Sequence, residues 1–216
     1  MKSLAECRLY TFVDTAYLYG RSAEAVARQL CDGGSDLIQL RAKNLPSTEI
    51  RRLAERILPI TEGNKVGLVI NDHPEIARQT GALLCHLGQE DFFEAGHRHV
   101  SELIPRGSGL RIGLSSHAPA QAERALAAGA DYVAIGPVYK TETKPAAQPV
   151  TLDYVRWAAR HVTIPWFAIG GINLQNLDDV LDAGARRICV VSAILNAPDL
   201  VKACQEFKKR LVFRAI

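Results

Sequence analysis

No stretch of the 216-residue chain holds the roughly 18 uninterrupted apolar residues that a membrane-spanning helix needs. Met1 to Leu9 carries Lys2, Glu6 and Arg8 and lacks the apolar run of a signal peptide. The five cysteines (Cys7, Cys31, Cys85, Cys189, Cys204) are odd in number and form no CxxC pair and no metal-ligand spacing. They read as small core residues in a reducing compartment, so the expected location is the cytoplasm, with no membrane partner. Strong charge is missing too. A formal net charge of +3 is too small to imply nucleic acid or an acidic membrane, though it leaves room for local basic clusters that hold phosphates. Linkers, low-complexity tracts and signs of a second domain are absent, and residues 1–216 are expected to form a single domain. Self-association into a homo-oligomer stays open.

What is present is an alternation of short apolar runs and longer amphipathic ones, in a chain that is 48% hydrophobic and 23% charged. Strands are predicted at 7–13, 36–41, 66–70, 82–87, 110–115, 132–135, 165–169 and 187–191. Helices are predicted at 22–31, 46–60, 74–80, 94–104, 119–128, 152–161, 174–183 and 198–211. Strands alternating with helices argue for a parallel sheet. Eight such pairs fit a closed α/β (β/α)8 TIM barrel better than an open sheet. An open, doubly wound sheet would show a glycine-rich fingerprint after the first strand, and Asp14–Arg21 has none.

In such a barrel the active site lies at the C-terminal ends of the strands. Strand two ends Gln39-Leu40-Arg41-Ala42-Lys43, and alternation puts Gln39, Arg41 and Lys43 on one side. Strand three ends Asn71-Asp72, strand four leads from His86 to Asp91, and strand five ends at Ser115 with His117 beyond. After strand six comes Gly136-Pro137-Val138-Tyr139-Lys140-Thr141-Glu142-Thr143-Lys144. Strand seven ends Gly170-Gly171-Ile172-Asn173, and strand eight Val191-Ser192.

Taken singly, these residues have structural readings. Asp72, Asn173 or Ser192 would cap the next helix, Arg41 would pair with an acid at the rim, and His86 and His117 would be hydrogen-bonded histidines of the framework. The stretch from Gly136 would be a solvated surface loop. The set says more. Three cations (Arg41, Lys43, Lys144) and two carboxylates (Asp72, Asp91) above one mouth suit a diphosphate with Mg2+, which takes few protein oxygens and keeps water and phosphate oxygens as ligands. Gly170-Gly171 and Ser192 fall where barrels bind a monophosphate through backbone N–H groups.

These segments resemble thiamine phosphate synthase, a family that includes thiazole tautomerases. The matching runs are Gln39–Lys43, Ile70–Asp72, His86–Asp91, Gly113–Ser115, Gly136–Lys144, Ile169–Ile172 and Val190–Ile194. The resemblance implies a transferase that joins 4-amino-5-hydroxymethyl-2-methylpyrimidine diphosphate to 4-methyl-5-(2-phosphoethyl)thiazole, or to its carboxylated tautomer. The products would be thiamine monophosphate and pyrophosphate, through a pyrimidine methylene cation. It implies Mg2+ on Asp72 and Asp91. Arg41, Lys43, Asn71, Ser115 and Lys144 would hold the diphosphate, and Gln39 would read the pyrimidine. Thr141, Thr143, Gly171, Val191 and Ser192 would serve the thiazole phosphate. Lys43, Ser115 and Lys144 are the catalytic candidates.

Two departures stand out. The interval from Asp91 to Ser115 is long for the family and contains His97, Arg98 and His99, and Ala42 stands where many members carry Glu. The alternatives are a thiazole tautomerase-like isomerase, which lacks the Thr-x-Thr-Lys run found at Thr141–Lys144, and a non-catalytic phosphate-binding barrel.

Overall fold

The computed structural model describes residues 1–104, 107–141 and 148–213. Eight parallel strands close into a barrel in the order of the chain: β1 (Leu9–Asp14), β2 (Leu37–Arg41), β3 (Gly67–Asn71), β4 (Leu84–Leu87), β5 (Arg111–Ser116), β6 (Tyr132–Ile135), β7 (Trp166–Ile169) and β8 (Ile188–Cys189). The helices are α1 (Ala23–Asp32), α2 (Ser47–Gly63), α3 (Pro74–Thr80), α4 (Gln89–Glu94), α5 (Pro119–Ala127), α6 (Thr151–His161), α7 (Leu177–Asp182), α8 (Ser192–Leu195) and α9 (Leu200–Phe213). The strands are buried along most of their length, as parallel strands covered by helices must be.

Local chemistry explains the alternation. Ser22 caps α1 by accepting the Ala25 N–H at 3.1 Å, and Ala23, Val26, Ala27 and Leu30 turn inward at helical spacing. Pro74 and Pro119 occupy the first turns of α3 and α5, where a missing N–H costs nothing. The barrel interior is filled by aromatic rings. Tyr10 and Tyr132 meet Phe167 edge-on at 5.4 and 5.7 Å, and the two tyrosine hydroxyls lie 3.2 Å apart. Gly113, the register partner of Tyr132, makes room, because a Cβ there would strike the Tyr132 ring.

The lower rim is fastened by Asp36, just before β2. Its buried carboxylate accepts from the backbone N–H groups of Arg8 (2.9 Å) and Leu9 (3.1 Å). It also pairs with Lys2 at 2.7 Å and with Lys208 of α9. Burial works against its ionisation, but the hydrogen bonds outweigh that and hold its pKa below the ordinary aspartate value.

Four expectations need correction. The helix predicted at 94–104 is absent. Instead α4 starts at Gln89 and stops before Gly96, which takes a left-handed φ of 88°. A short 3-10 turn follows at Val100–Glu102, capped reciprocally by His99 and Glu102. Strand eight has two residues rather than the five of 187–191. The helix predicted from Leu174 begins at Leu177, since the Asn173 side-chain Oδ1 accepts the Gln175 and Asn176 N–H groups and holds a turn there. Finally, β1 runs to Asp14, which makes that carboxylate part of the barrel mouth.

Candidate active site

At the C-terminal ends of the strands lies a cleft of about 970 Å3, mouth included. Gln39, Arg41, Lys43, Asn71, Asp72, Asp91, Ser115, Thr141, Gly171, Val191 and Ser192 all line it. Thr143 and Lys144 lie outside the described residues.

β2 delivers the first group through its two-residue period, so that Gln39, Arg41 and then Lys43 face the cleft while Ala42 is buried behind them. The Gln39 amide nitrogen donates to the Tyr10 hydroxyl at 2.6 Å. Arg41 Nη1 bonds Asp14 Oδ2 at 2.7 Å, so the rim pairing expected for Arg41 is present. Lys43 Nζ stands 3.7 Å from Asp72 Oδ2, and the Asn71 side-chain amide donates to the same oxygen at 2.6 Å.

Asp72 sits at φ 64°, a left-handed conformation that a non-glycine residue holds only against about 1–3 kcal/mol. Its own N–H is tied to the His86 carbonyl at 2.9 Å, which fixes the kink. The kink turns the carboxylate toward Lys43, and Asp72 does not cap α3, whose N-cap is His73 without a side-chain bond. Asp91 lies in the first turn of α4. A Cβ on Gly88 would come within 2.5 Å of Asp91 Oδ2, so only glycine leaves the carboxylate its place. Ser115 Oγ accepts the Gln89 N–H at 3.3 Å and thereby ties β5 to the start of α4.

The histidines carry out framework bonding, as their single-residue readings had it. His86 Nδ1 is 3.2 Å from the Tyr132 hydroxyl and its ring stacks on Tyr132, while His117 Nδ1 contacts the Gly136 carbonyl.

The other half of the mouth is built by glycines. A Cβ on Gly171 would lie 2.6 Å from the Lys140 carbonyl and 2.8 Å from Tyr139 Cβ. A Cβ on Gly136 or Gly170 would strike Ile169 or Pro137. Backbone bonds from Val138 to Ile169 (2.8 Å) and from Tyr139 to Gly170 (3.0 Å) lock the two loops together. The first requirement on Gly170-Gly171 is thus a close approach of two chain segments, which leaves Thr141, Gly171 and Ser192 around one space. Ser192 opens α8 and does not cap it, the N-cap being Val191.

Sequence reasoning missed three groups. Asp14 and Phe12 share the inward face of β1 with Tyr10, and extending that alternation one step to Asp14 would have found the carboxylate. Cys189 also lines the cleft, and complete burial pushes its thiol well above the ordinary range, which keeps it neutral.

A closed parallel barrel whose mouth gathers paired cations and carboxylates on one side and glycine turns on the other defines a TIM-barrel enzyme. The description "Thiamine monophosphate synthase" belongs to a family model that matches residues 9–194. A thiamine-phosphate synthase of Thermus thermophilus is 46% identical over 180 residues, 83% of this chain and 84% of that one. One of Acidothermus cellulolyticus is 41% identical over 215 residues, 99% of each. A solved thiamine phosphate pyrophosphorylase from Pyrococcus furiosus superposes with a TM-score of 0.86 at 28% identity, covering 99% of both chains. The chain belongs to the thiamine monophosphate synthase family. Its function is that of the thiamine-phosphate synthases, a transferase activity in thiamine biosynthesis, and neither the tautomerase-like nor the non-catalytic alternative is favoured.

Proposed function

We propose that this chain carries out the transfer by dissociation, with the pyrimidine diphosphate held over β2–β5 and the thiazole phosphate over β7–β8. The carrying observation is that one cleft holds Arg41, Lys43, Asn71 and Ser115 opposite Thr141, Gly171, Val191 and Ser192. In the reaction the bond from the pyrimidine methylene carbon to the diphosphate oxygen breaks, and its electron pair leaves with pyrophosphate. The methylene cation is stabilised by the aminopyrimidine. The thiazole nitrogen lone pair then forms the new C–N bond. No proton has to be removed from an attacking group, which suits a mouth whose cysteine is neutral and whose histidines are engaged in the framework.

The protein's work is to hold the two rings together and to receive charge on the departing diphosphate. Arg41, Lys43, Asn71 and Ser115 offer donors to it, with Lys144 as the further catalytic candidate. Gln39 orients the pyrimidine with an amide already steadied by Tyr10. The residues fit Mg2+. Among the described residues no cluster of three or more His, Cys, Asp or Glu forms a cage, while Asp72 and Asp91 bring hard oxygen donors to the same cleft. That is the partial set expected of a cation that also takes water and phosphate oxygens. Asp72 and Asp91 would hold it, and when bound it neutralises charge on the leaving group.

The free, buried cysteines support a cytoplasmic setting. Residues 1–216 act as a single barrel domain in this reading, with no nucleic-acid or membrane partner. Mass spectrometry of a reaction with both substrates and Mg2+ tests it, and the expected result is thiamine monophosphate and pyrophosphate in equal amounts. Rearranged thiazole phosphate without coupling would favour the isomerase instead.

A further inference from the structure

We propose that residues 14–21, the segment after β1, form a brace that positions both substrate sites, with Asp14 and Arg21 as its two positioning residues. This rests on the reading of Arg41 as a diphosphate ligand and of Ser192 as a monophosphate ligand.

At the first end, Asp14 is only 2% exposed, so its charge needs partners. Both oxygens have them. Oδ1 accepts the Ala16 N–H at 3.0 Å and starts the 3-10 turn Thr15–Tyr17, and Oδ2 takes Arg41 Nη1 at 2.7 Å. Asp14 and Arg41 are also register partners across β1 and β2, so the pair is set by the sheet itself. A guanidinium presents a planar fork of donors. Holding one edge on Asp14 fixes where the remaining N–H groups point, and Arg41 lines the cleft. The ion pair has no net charge, so Arg41 meets a diphosphate as a set of aimed donors more than as a free positive charge.

At the other end, Tyr19 (φ 49°) and Gly20 (φ 81°) turn the chain back through two left-handed residues. The turn brings Arg21 against three carbonyls. Nε donates to Leu18 at 2.9 Å, while Nη2 donates to Tyr17 at 2.7 Å and to Leu195 at 2.9 Å. The Tyr19 hydroxyl adds a bond to Asn196 Oδ1 at 3.1 Å. Leu195 ends the single turn that Ser192 begins, and Ile194 and Leu195 are buried, so that turn moves as one piece. Gripping its last carbonyl therefore sets the position of Ser192. A lysine cannot replace the fork that spans the three carbonyls.

The test is steady-state kinetics on Asp14→Asn, Arg21→Met and Arg21→Lys, with thermal melting alongside. Asp14→Asn is expected to raise KM for the pyrimidine diphosphate roughly tenfold, the worth of one charge-assisted hydrogen bond, with KM for the thiazole phosphate within about twofold of wild type. Arg21→Met is expected to do the reverse, and Arg21→Lys to recover only part of the loss. If Asp14 merely damped the charge of Arg41, Asp14→Asn would lower KM for the diphosphate. That sign, or melting points that fall while both KM values stay put, would overturn the brace. Should Arg21→Met not fold, Arg21→Lys carries the same test. Wild-type protein that couples nothing when given both substrates would overturn the functional reading, whereas normal wild-type coupling without selective KM changes in the variants overturns the brace alone.

Discussion

Asp72 and Asp91 reach the cleft by different local devices. Asp72 is swung inward by a left-handed backbone kink, and Asp91 is admitted by the missing side chain of Gly88. Both types of residue were visible in the sequence at strand ends. The kink and the close approach were not, because the first depends on the distant His86 carbonyl and the second on α4 starting at Gln89, five residues before the predicted helix. Asp91→Ala is expected to lower Mg2+-dependent turnover by about 100-fold, since several kcal/mol of charge stabilisation on the leaving group depend on the metal it would hold. A near wild-type rate across a Mg2+ titration contradicts the assignment. Cys189 gives the opposite prediction. Its buried, neutral thiol should leave the native enzyme insensitive to alkylating reagents at neutral pH, and Cys189→Ala should keep turnover within a few-fold of wild type. Inactivation that tracks modification of Cys189 would contradict that.

Elements carry the next level of information. Seven strands were legible to within a few residues because buried parallel strands read as short apolar runs between turn signals. β8 was placed but read as too long, and α8 was not read at all, for its four residues are too few for any periodicity to register. The supposed helix at 94–104 failed because Gly96 and the His99–Glu102 capping pair divide the stretch into separate turns. At this scale the decisive contact is between the loop after β6 and the loop after β7. Gly171→Ala puts a Cβ 2.6 Å from the Lys140 carbonyl at φ 64° and is expected to push the loops apart. The predicted outcome is a loss of about 1–3 kcal/mol in stability and a rise in KM that is larger for the thiazole phosphate than for the pyrimidine diphosphate. Chemical denaturation and steady-state kinetics measure the two effects, and an unchanged KM would mean that the loop contact does not shape the site.

Across the whole molecule, the site depends on a barrel that closes through a short β8 and is fastened underneath by Asp36. Alternation of strands and helices made the barrel legible. The Asp36 fastening was not legible, since it joins Lys2, β1 and Lys208 across the full length of the chain. Removing one partner of a buried ion pair costs about 3–5 kcal/mol, so Asp36→Ala should lower the melting temperature clearly. The pKa of Asp36 is depressed in the folded state. Its stabilisation is therefore complete above the unfolded value near 3.9 and is lost as pH falls through the lower folded value. Wild type should lose more stability than Asp36→Asn on acidification from about pH 5 to about pH 3, as read by melting at each pH. Parallel curves for the two proteins would place the fastening elsewhere.

In the proposed reaction the two halves of the mouth hold one substrate each for a single coupled transfer. The most direct measurement is pyrophosphate release in the presence of pyrimidine diphosphate, thiazole phosphate and Mg2+, with each omitted in turn. Release that requires all three is the predicted result. Release that continues at full rate without the thiazole phosphate would mean simple hydrolysis of the pyrimidine diphosphate and would rule out coupled transfer.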